Sequence, residues 1–191
     1  LPISLLYVHG GPWAGVTHWN SWFHTRNFQL LANRGYAVIN TEFRGTTGLG
    51  KAMTRRGDRQ WGEAMHRDLI DIANWAIRRE IADYQRLGIW GWSYGGYAAA
   101  AALAFAPERF ACGLSMYGPA DLDAFSRIAF TDNERWRRVV GNPLTPEGRD
   151  LLRRHSPFHQ VERITKPILL TTGGKDERIP KTQVDAFADT R

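Results

Sequence analysis

A serine flanked by glycines stands at Gly91-Trp92-Ser93-Tyr94-Gly95-Gly96. A short apolar run, residues 87–90, precedes it, and an alanine-rich run, residues 98–105, follows. A strand that turns at once into a helix forces such a serine into a strained backbone conformation, and glycines two before and two after it remove side chains that would collide. The turn lifts the Ser93 hydroxyl into a cleft as a nucleophile and aims the N–H of Tyr94 at the same point, where the start of the helix favours negative charge. His9-Gly10-Gly11-Pro12-Trp13 directly follows another strand-like run, residues 3–8. Its two glycines let the backbone approach a reacting carbonyl, so Gly11 is the expected second oxyanion donor beside Tyr94, with His9 bracing the loop. Losing one such donor typically costs about 3–4 kcal/mol in the barrier. Asp176, in the loop Thr172-Gly173-Gly174-Lys175-Asp176-Glu177-Arg178-Ile179-Pro180, fits the acid that orients a histidine base, with Glu177 the less favoured neighbour.

These parts follow the order serine, acid, histidine, yet no histidine follows Asp176. The six histidines are His9, His18, His24, His66, His155 and His159. His155 and His159 precede the last strand-like run and are not expected to reach the loop mouths. The sequence therefore supplies a nucleophile, two oxyanion donors and an acid, but no base. Truncation is the simplest account, and these residues alone are expected to be inactive.

The elements that must hold these residues are legible as an alternation. Strand-like runs cover residues 3–8, 36–41, 87–90, 110–117 and 167–172, and helical stretches cover residues 19–33, 63–81 and 94–105. A more irregular helical insertion, residues 122–154, contains Thr145-Pro146-Glu147, an N-cap followed by a first-turn proline and acid. Nearly continuous apolar strands alternating with helices predict an α/β fold, a mostly parallel sheet covered by helices on both faces, with chemistry at the carboxyl ends of the strands. The first residues run straight into a strand, and residues 181–191 stop inside a helical pattern, so the chain reads as one partial domain, residues 1–191, cut at both ends.

Composition narrows the class. The 191 residues are 43% hydrophobic and 12% aromatic, which excludes a disordered chain. The balance of 25 Lys+Arg against 19 Asp+Glu gives +6, but the basic residues are scattered among acids and form short solvated clusters, so no nucleic-acid partner is expected. No apolar stretch approaches the roughly 20 residues of a membrane span, and no membrane partner is expected. The single cysteine, Cys112, excludes an intramolecular disulfide and a Cys-rich zinc site. No metal or organic cofactor is implied. The compartment stays open between cytoplasm and periplasm.

The residues resemble the catalytic domain of the prolyl oligopeptidase family of serine peptidases, especially its acylaminoacyl-peptidase and dipeptidyl-peptidase-like branch. The resemblance extends over essentially the whole chain. It runs from His9-Gly10-Gly11-Pro12-Trp13 through Phe43-Arg44-Gly45-Thr46-Thr47-Gly48 and Trp61-Gly62-Glu63-Ala64-Met65 to the Ser93 motif, Tyr117-Gly118-Pro119 and Lys166-Pro167-Ile168-Leu169-Leu170. It implies an α/β-hydrolase fold, hydrolysis of oligopeptides through an acyl-enzyme, a triad histidine beyond Arg191, and a β-propeller preceding this domain. By the resemblance Ser93 is the nucleophile, Asp176 the acid, and Gly11 and Tyr94 the oxyanion donors.

Trp13, Tyr117 and Phe125 are candidate apolar lining for a peptide substrate. Trp92 departs from the small residue common in the elbow and is expected to narrow the cleft. Two rival functions remain: a carboxylesterase or acyl hydrolase of the same fold, and a non-catalytic binding module.

Overall fold

The computed structural model describes residues 1–15 and 21–190, with the side chains of residues 23 and 24 outside the description. The apolar runs form five strands: β1 (Ser4–Val8), β2 (Ala37–Asn40), β3 (Leu87–Trp92), β4 (Cys112–Met116) and β5 (Ile168–Thr171). They make one sheet in the order β2-β1-β3-β4-β5, every neighbouring pair parallel. Parallel neighbours need crossovers, and helices supply them: α1 (Trp22–Ala32), α2 (Lys51–Arg55), α3 (Ala64–Arg78), α4 (Tyr94–Phe105), α5 (Leu122–Phe125), α6 (Glu134–Val139) and α7 (Pro146–Arg154), while α8 (Lys181–Asp189) follows the last strand. Short 3₁₀ turns at Tyr84–Arg86 and Pro157–Arg163 lead into β3 and β5.

Two helices show how sequence decides burial. In α4, every residue from Tyr94 to Ala104 is buried, as a helix apolar all round must be. It fills one face of the sheet, where the Leu103 side chain lies so close that a Cβ on Gly113 of β4 would sit 2.8 Å from it. In α3, Met65, Leu69, Ala73 and Ala76 form the buried stripe. That helix was expected to reach Ile81 but ends at Arg78. Glu80 adopts φ +56°, and the Ile81 and Glu80 amides turn back onto the Ala76 and Ile77 carbonyls, a left-handed C-terminal cap. The opposite face carries α1, whose Phe28 meets Tyr7 of β1 edge-on at 4.9 Å. Helices thus flank both faces of a parallel sheet, as expected.

The cover on the α1 side is uneven. Beside α1 an apolar groove of about 370 Å³ runs over Leu5, Leu31, Leu114 and Leu169, and Leu169 is 61% exposed.

The other sequence expectations differ at the margins. Residues 19 and 20, where the first helix was expected to begin, and Arg191, where the last pattern ended, lie outside the described residues. The irregular insertion resolves into α5, α6 and α7, and Thr145 caps α7 by accepting from the Gly148 amide at 3.1 Å. Helix α2 carries no periodicity that five residues could reveal.

Register sets the position of the site. Val8 lies level with Gly91, Trp92 with Met116, and Met116 with Thr171, so the loops after β1, β3, β4 and β5 leave the sheet at one edge. The chain winds outward from β1 to β2 on one side and from β3 through β4 to β5 on the other, which opens a crevice at the ends of β1 and β3.

Candidate active site

Ser93 sits in that crevice with φ +55° and ψ −120°, a conformation that costs a non-glycine residue on the order of 1–3 kcal/mol. The bend is held by its neighbours. The Ser93 amide donates to the Met116 carbonyl at 2.9 Å, and the Ser93 carbonyl accepts the Tyr97 amide at 3.0 Å. Gly91 and Gly95 press against the end of β1, where a Cβ on either would lie 2.2 or 2.0 Å from the Val8 carbonyl oxygen. No side chain fits there. The amide of Tyr94 is the first of α4 and so has no carbonyl four residues back within the helix to receive it.

The adjoining loop after β1 brings Gly11 to the same cavity. Gly11 has φ +120°, and a Cβ there would also lie 2.7 Å from the Trp13 amide nitrogen, so conformation and space both demand glycine. His9 is 2% exposed. Its Nδ1 lies 2.7 Å from the Gly10 carbonyl oxygen, and its Nε2 lies 3.0 Å from Thr46 Oγ1 and 3.2 Å from Glu42 Oε2. Its ring stacks on Phe43 at 4.4 Å. The loop at residues 43–48 is in turn tied down by Arg44, whose guanidinium grips the Asp68 carboxylate of α3 at 2.6 and 2.8 Å. His9 therefore braces the loop, as its position predicts.

Gly11, Ser93 and Tyr94 line one cavity of about 230 Å³. Its walls are largely aromatic. Trp61 meets Tyr94 edge-on at 4.6 Å and Trp136 at 5.5 Å, and Trp136 meets Phe125 at 5.2 Å. Burial in this cluster raises the pKa of the Tyr94 hydroxyl. Phe125 is a lining residue, as expected. Trp13 lines an adjoining cavity of about 270 Å³ that shares Gly11, Phe130 and Trp136, and the Arg135 guanidinium lies 5.3 Å above the Trp13 ring. A larger shallow depression of about 650 Å³ over Arg44, Asp68 and Trp75 holds an ion pair and has no part in this geometry.

Asp176 lies on the loop after β5. Its Oδ1 accepts the amides of Arg178 and Ile179, each at 2.9 Å, and those two residues line the Ser93 cavity. The Arg178 guanidinium rests 5.2 Å over Phe130. Tyr117, at the end of β4, is outside the lining of both cavities, but it feels Asp176: burial first, and then that carboxylate, raise its pKa. Asp176 and Ser93 thus occupy the same end of the sheet. Glu177 is exposed.

The remaining histidines are engaged elsewhere. On α3, burial pushes His66 down to about 4, and its ring packs against Phe105 at 5.8 Å. His155 Nε2 lies 3.2 Å from Glu63 Oε1, and burial lowers its pKa against the opposing pull of that carboxylate. His159 Nε2 lies 3.8 Å from Asp121 Oδ2. Among the described residues, no histidine lines the Ser93 cavity. His18 and the His24 side chain fall outside the description.

Sequence reasoning missed Trp61, Trp136, Phe130 and Arg178 as lining. The first three come from segments with no fixed spacing to Ser93. Arg178 had a signal, two residues after the acid. Trp92 corrects an expectation: it does not line the cavity, but lies beneath the loop after β1, where a Cβ on Gly10 would come within 2.8 Å of its Cδ1.

Residues 21–190 match the model of the prolyl oligopeptidase family. The chain is 38% identical to dipeptidyl aminopeptidase BIII of Pseudoxanthomonas mexicana over 193 residues, which covers 97% of this chain and 27% of that protein. It is 36% identical to dipeptidyl peptidase family member 6 of Caenorhabditis elegans, covering 96% of this chain and 25% of that one. Among solved structures, a Mycobacterium tuberculosis puromycin-hydrolyzing peptidase superposes with a TM-score of 0.88 at 30% identity, over 98% of this chain and 28% of that one. The chain spans about a quarter of the length of these relatives.

Proposed function

Because the chain belongs to the prolyl oligopeptidase family, we propose that the protein containing it is a serine peptidase that hydrolyses short peptides through an acyl-enzyme. The Ser93 hydroxyl attacks the scissile carbonyl carbon, and the carbonyl oxygen, now an oxyanion, takes hydrogen bonds from the Gly11 and Tyr94 amides. A histidine base contributed from outside the described residues accepts the Ser93 proton and returns it to the leaving amine. Asp176 orients that base and supports its positive charge. Water then attacks the acyl-enzyme by the same route, releasing the acid and restoring Ser93. No step calls for a metal or organic cofactor.

The observation that carries this reading is the strained backbone of Ser93 at the crevice between β1 and β3, with Gly11 and Tyr94 on the same cavity wall. A binding module has no use for such strain. The aromatic walls suit an apolar side chain on the residue before the scissile bond. The names of the relatives, dipeptidyl aminopeptidase and puromycin-hydrolyzing peptidase, agree with small amino-terminal substrates. A propeller elsewhere in the full-length protein would restrict access to such peptides.

Fluorophosphonate labelling of the full-length protein tests the nucleophile. The wild type is expected to label at Ser93 and Ser93→Ala not at all. Absence of labelling in the folded wild type, or labelling that persists in the variant, overturns the assignment. Parallel rates on a dipeptide anilide and a p-nitrophenyl ester separate a peptidase from an esterase, since only the former turns over the anilide efficiently.

A further inference from the structure

We infer that Arg135 is a specificity-determining residue: beside Trp13, it receives a carboxylate carried by the residue that follows the scissile bond. The inference deepens the peptidase reading and rests on Ser93 acting as nucleophile.

Three groups diverge from the carbonyl carbon that Ser93 attacks. The oxygen turns to the Gly11 and Tyr94 amides, and the preceding side chain takes the aromatic cavity that holds Ser93. The residue that leaves needs a third direction. The adjoining cavity of about 270 Å³ supplies one, because it shares Gly11 with the first but contains neither Ser93 nor Tyr94. Trp136 divides the two. It meets Trp13 edge-on at 6.0 Å and Phe125 at 5.2 Å, and its Nε1 donates to Ser126 Oγ at 2.9 Å.

The charges around this pair of cavities are one-sided. Among the described residues, neither lining contains a carboxylate, and Arg135 is the charged group of the adjoining cavity. Asn133 also lines it, but its side chain is spent: Oδ1 accepts the Trp136 amide at 2.9 Å and Nδ2 donates to the Phe130 carbonyl at 3.3 Å. The nearby acids do not neutralise Arg135. Asp132 pairs with Arg137, and Glu134 is its immediate neighbour on α6, a spacing at which side chains do not face each other. What Arg135 does meet is the Trp13 ring, 5.3 Å from its guanidinium carbon. An aromatic face attracts the cation without accepting a hydrogen bond along its edge, so the planar fork of N–H donors stays available to a carboxylate. Beyond Phe130, Arg178 adds a second positive charge at the Ser93 cavity. Such a field favours an anionic group over a neutral or cationic one.

The carboxylate could be a side chain or the end of a short peptide, and four substrates of the full-length protein separate these sources. Three are amidated tripeptides that begin with alanine and phenylalanine and end in glutamate, glutamine or lysine. The fourth is the glutamine peptide as its free acid. In the wild type, the glutamate peptide or the free acid is expected to exceed the amidated glutamine peptide in kcat/KM by about fivefold, the upper end for a solvent-exposed ion pair. Whichever ratio shows the gain names the source. In Arg135→Met that ratio is expected to fall to about one, and in Arg135→Glu the lysine peptide is expected to overtake the glutamate peptide. Ratios within one variant cancel any uniform change in activity, and because Arg135 is exposed the variants are expected to fold. Absence of a gain from either carboxylate in the wild type overturns the inference. So does a gain that survives in Arg135→Met, or one that survives there and disappears in Arg178→Met. A wild-type protein that neither labels with fluorophosphonate nor cleaves any of the four peptides defeats the nucleophile assignment itself, which is a separate result.

Discussion

The corner between β3 and α4 and the corner between β5 and α8 each combine glycines with one chemical side chain, but they are built in opposite ways. At the first, backbone is pressed against backbone: Gly91 and Gly95 meet the Val8 carbonyl with no room for a methyl group, and Ser93 is bent because its surroundings leave no alternative. At the second, Gly174 has open space around it, a Cβ on Gly173 would meet Asp176 only at ordinary contact distance, and the turn is closed by the Asp176 carboxylate gripping two amides. Packing therefore positions the nucleophile, whereas the acid positions its own loop. Glycine means close approach at one corner and mere tolerance at the other.

Substitutions at the two corners sharpen that contrast. The largest effect is expected for Ser93→Ala, a loss of kcat on the order of a millionfold with no loss of thermal stability, because the strain and the packing stay with the backbone. Asp176→Asn is expected to lower kcat about ten-thousandfold while stability changes little, since the amide oxygen can still accept from Arg178 and Ile179. A comparable loss in Glu177→Gln instead would reassign the acid. Gly95→Ala is expected to destabilise by about 3 kcal/mol or more in chemical denaturation, because a Cβ 2.0 Å from the Val8 oxygen forces β1 and the elbow apart. Gly174→Ala is expected to shift stability by less than about 0.5 kcal/mol, the smallest effect. If Gly95→Ala and Gly174→Ala proved equally harmless, the distinction between the corners would fail.

The same contrast explains what the sequence disclosed. The elbow was legible because its glycine spacing is dictated by sterics within a few residues, and α4 occupies the expected residues 94–105. The loop with Gly11 was legible for the same reason. Strand β3 extends two residues past the expected end at Trp90, since the strand must run up to the bend itself. The aromatic wall was not legible, because Trp61 meets Tyr94 and Trp136 only through tertiary packing. Nor did the sequence tell where Trp92 would turn. Strand alternation sends its indole to the face shared with Tyr7, whose ring it meets at 5.4 Å, and away from the cleft.

The pairing of β1 with β3 has a kinetic consequence. Gly11 and Tyr94 belong to strand–loop junctions far apart in the chain, brought level only when β3 inserts beside β1. Loop closure over that separation is entropically costly and makes such parallel pairing a slow event in folding. Helices α1 and α3 can gather early without creating any reactive hydroxyl. In refolding experiments on the full-length protein, reactivity at Ser93 would therefore serve as a clock for the last long-range assembly step, lagging the recovery of helical signal.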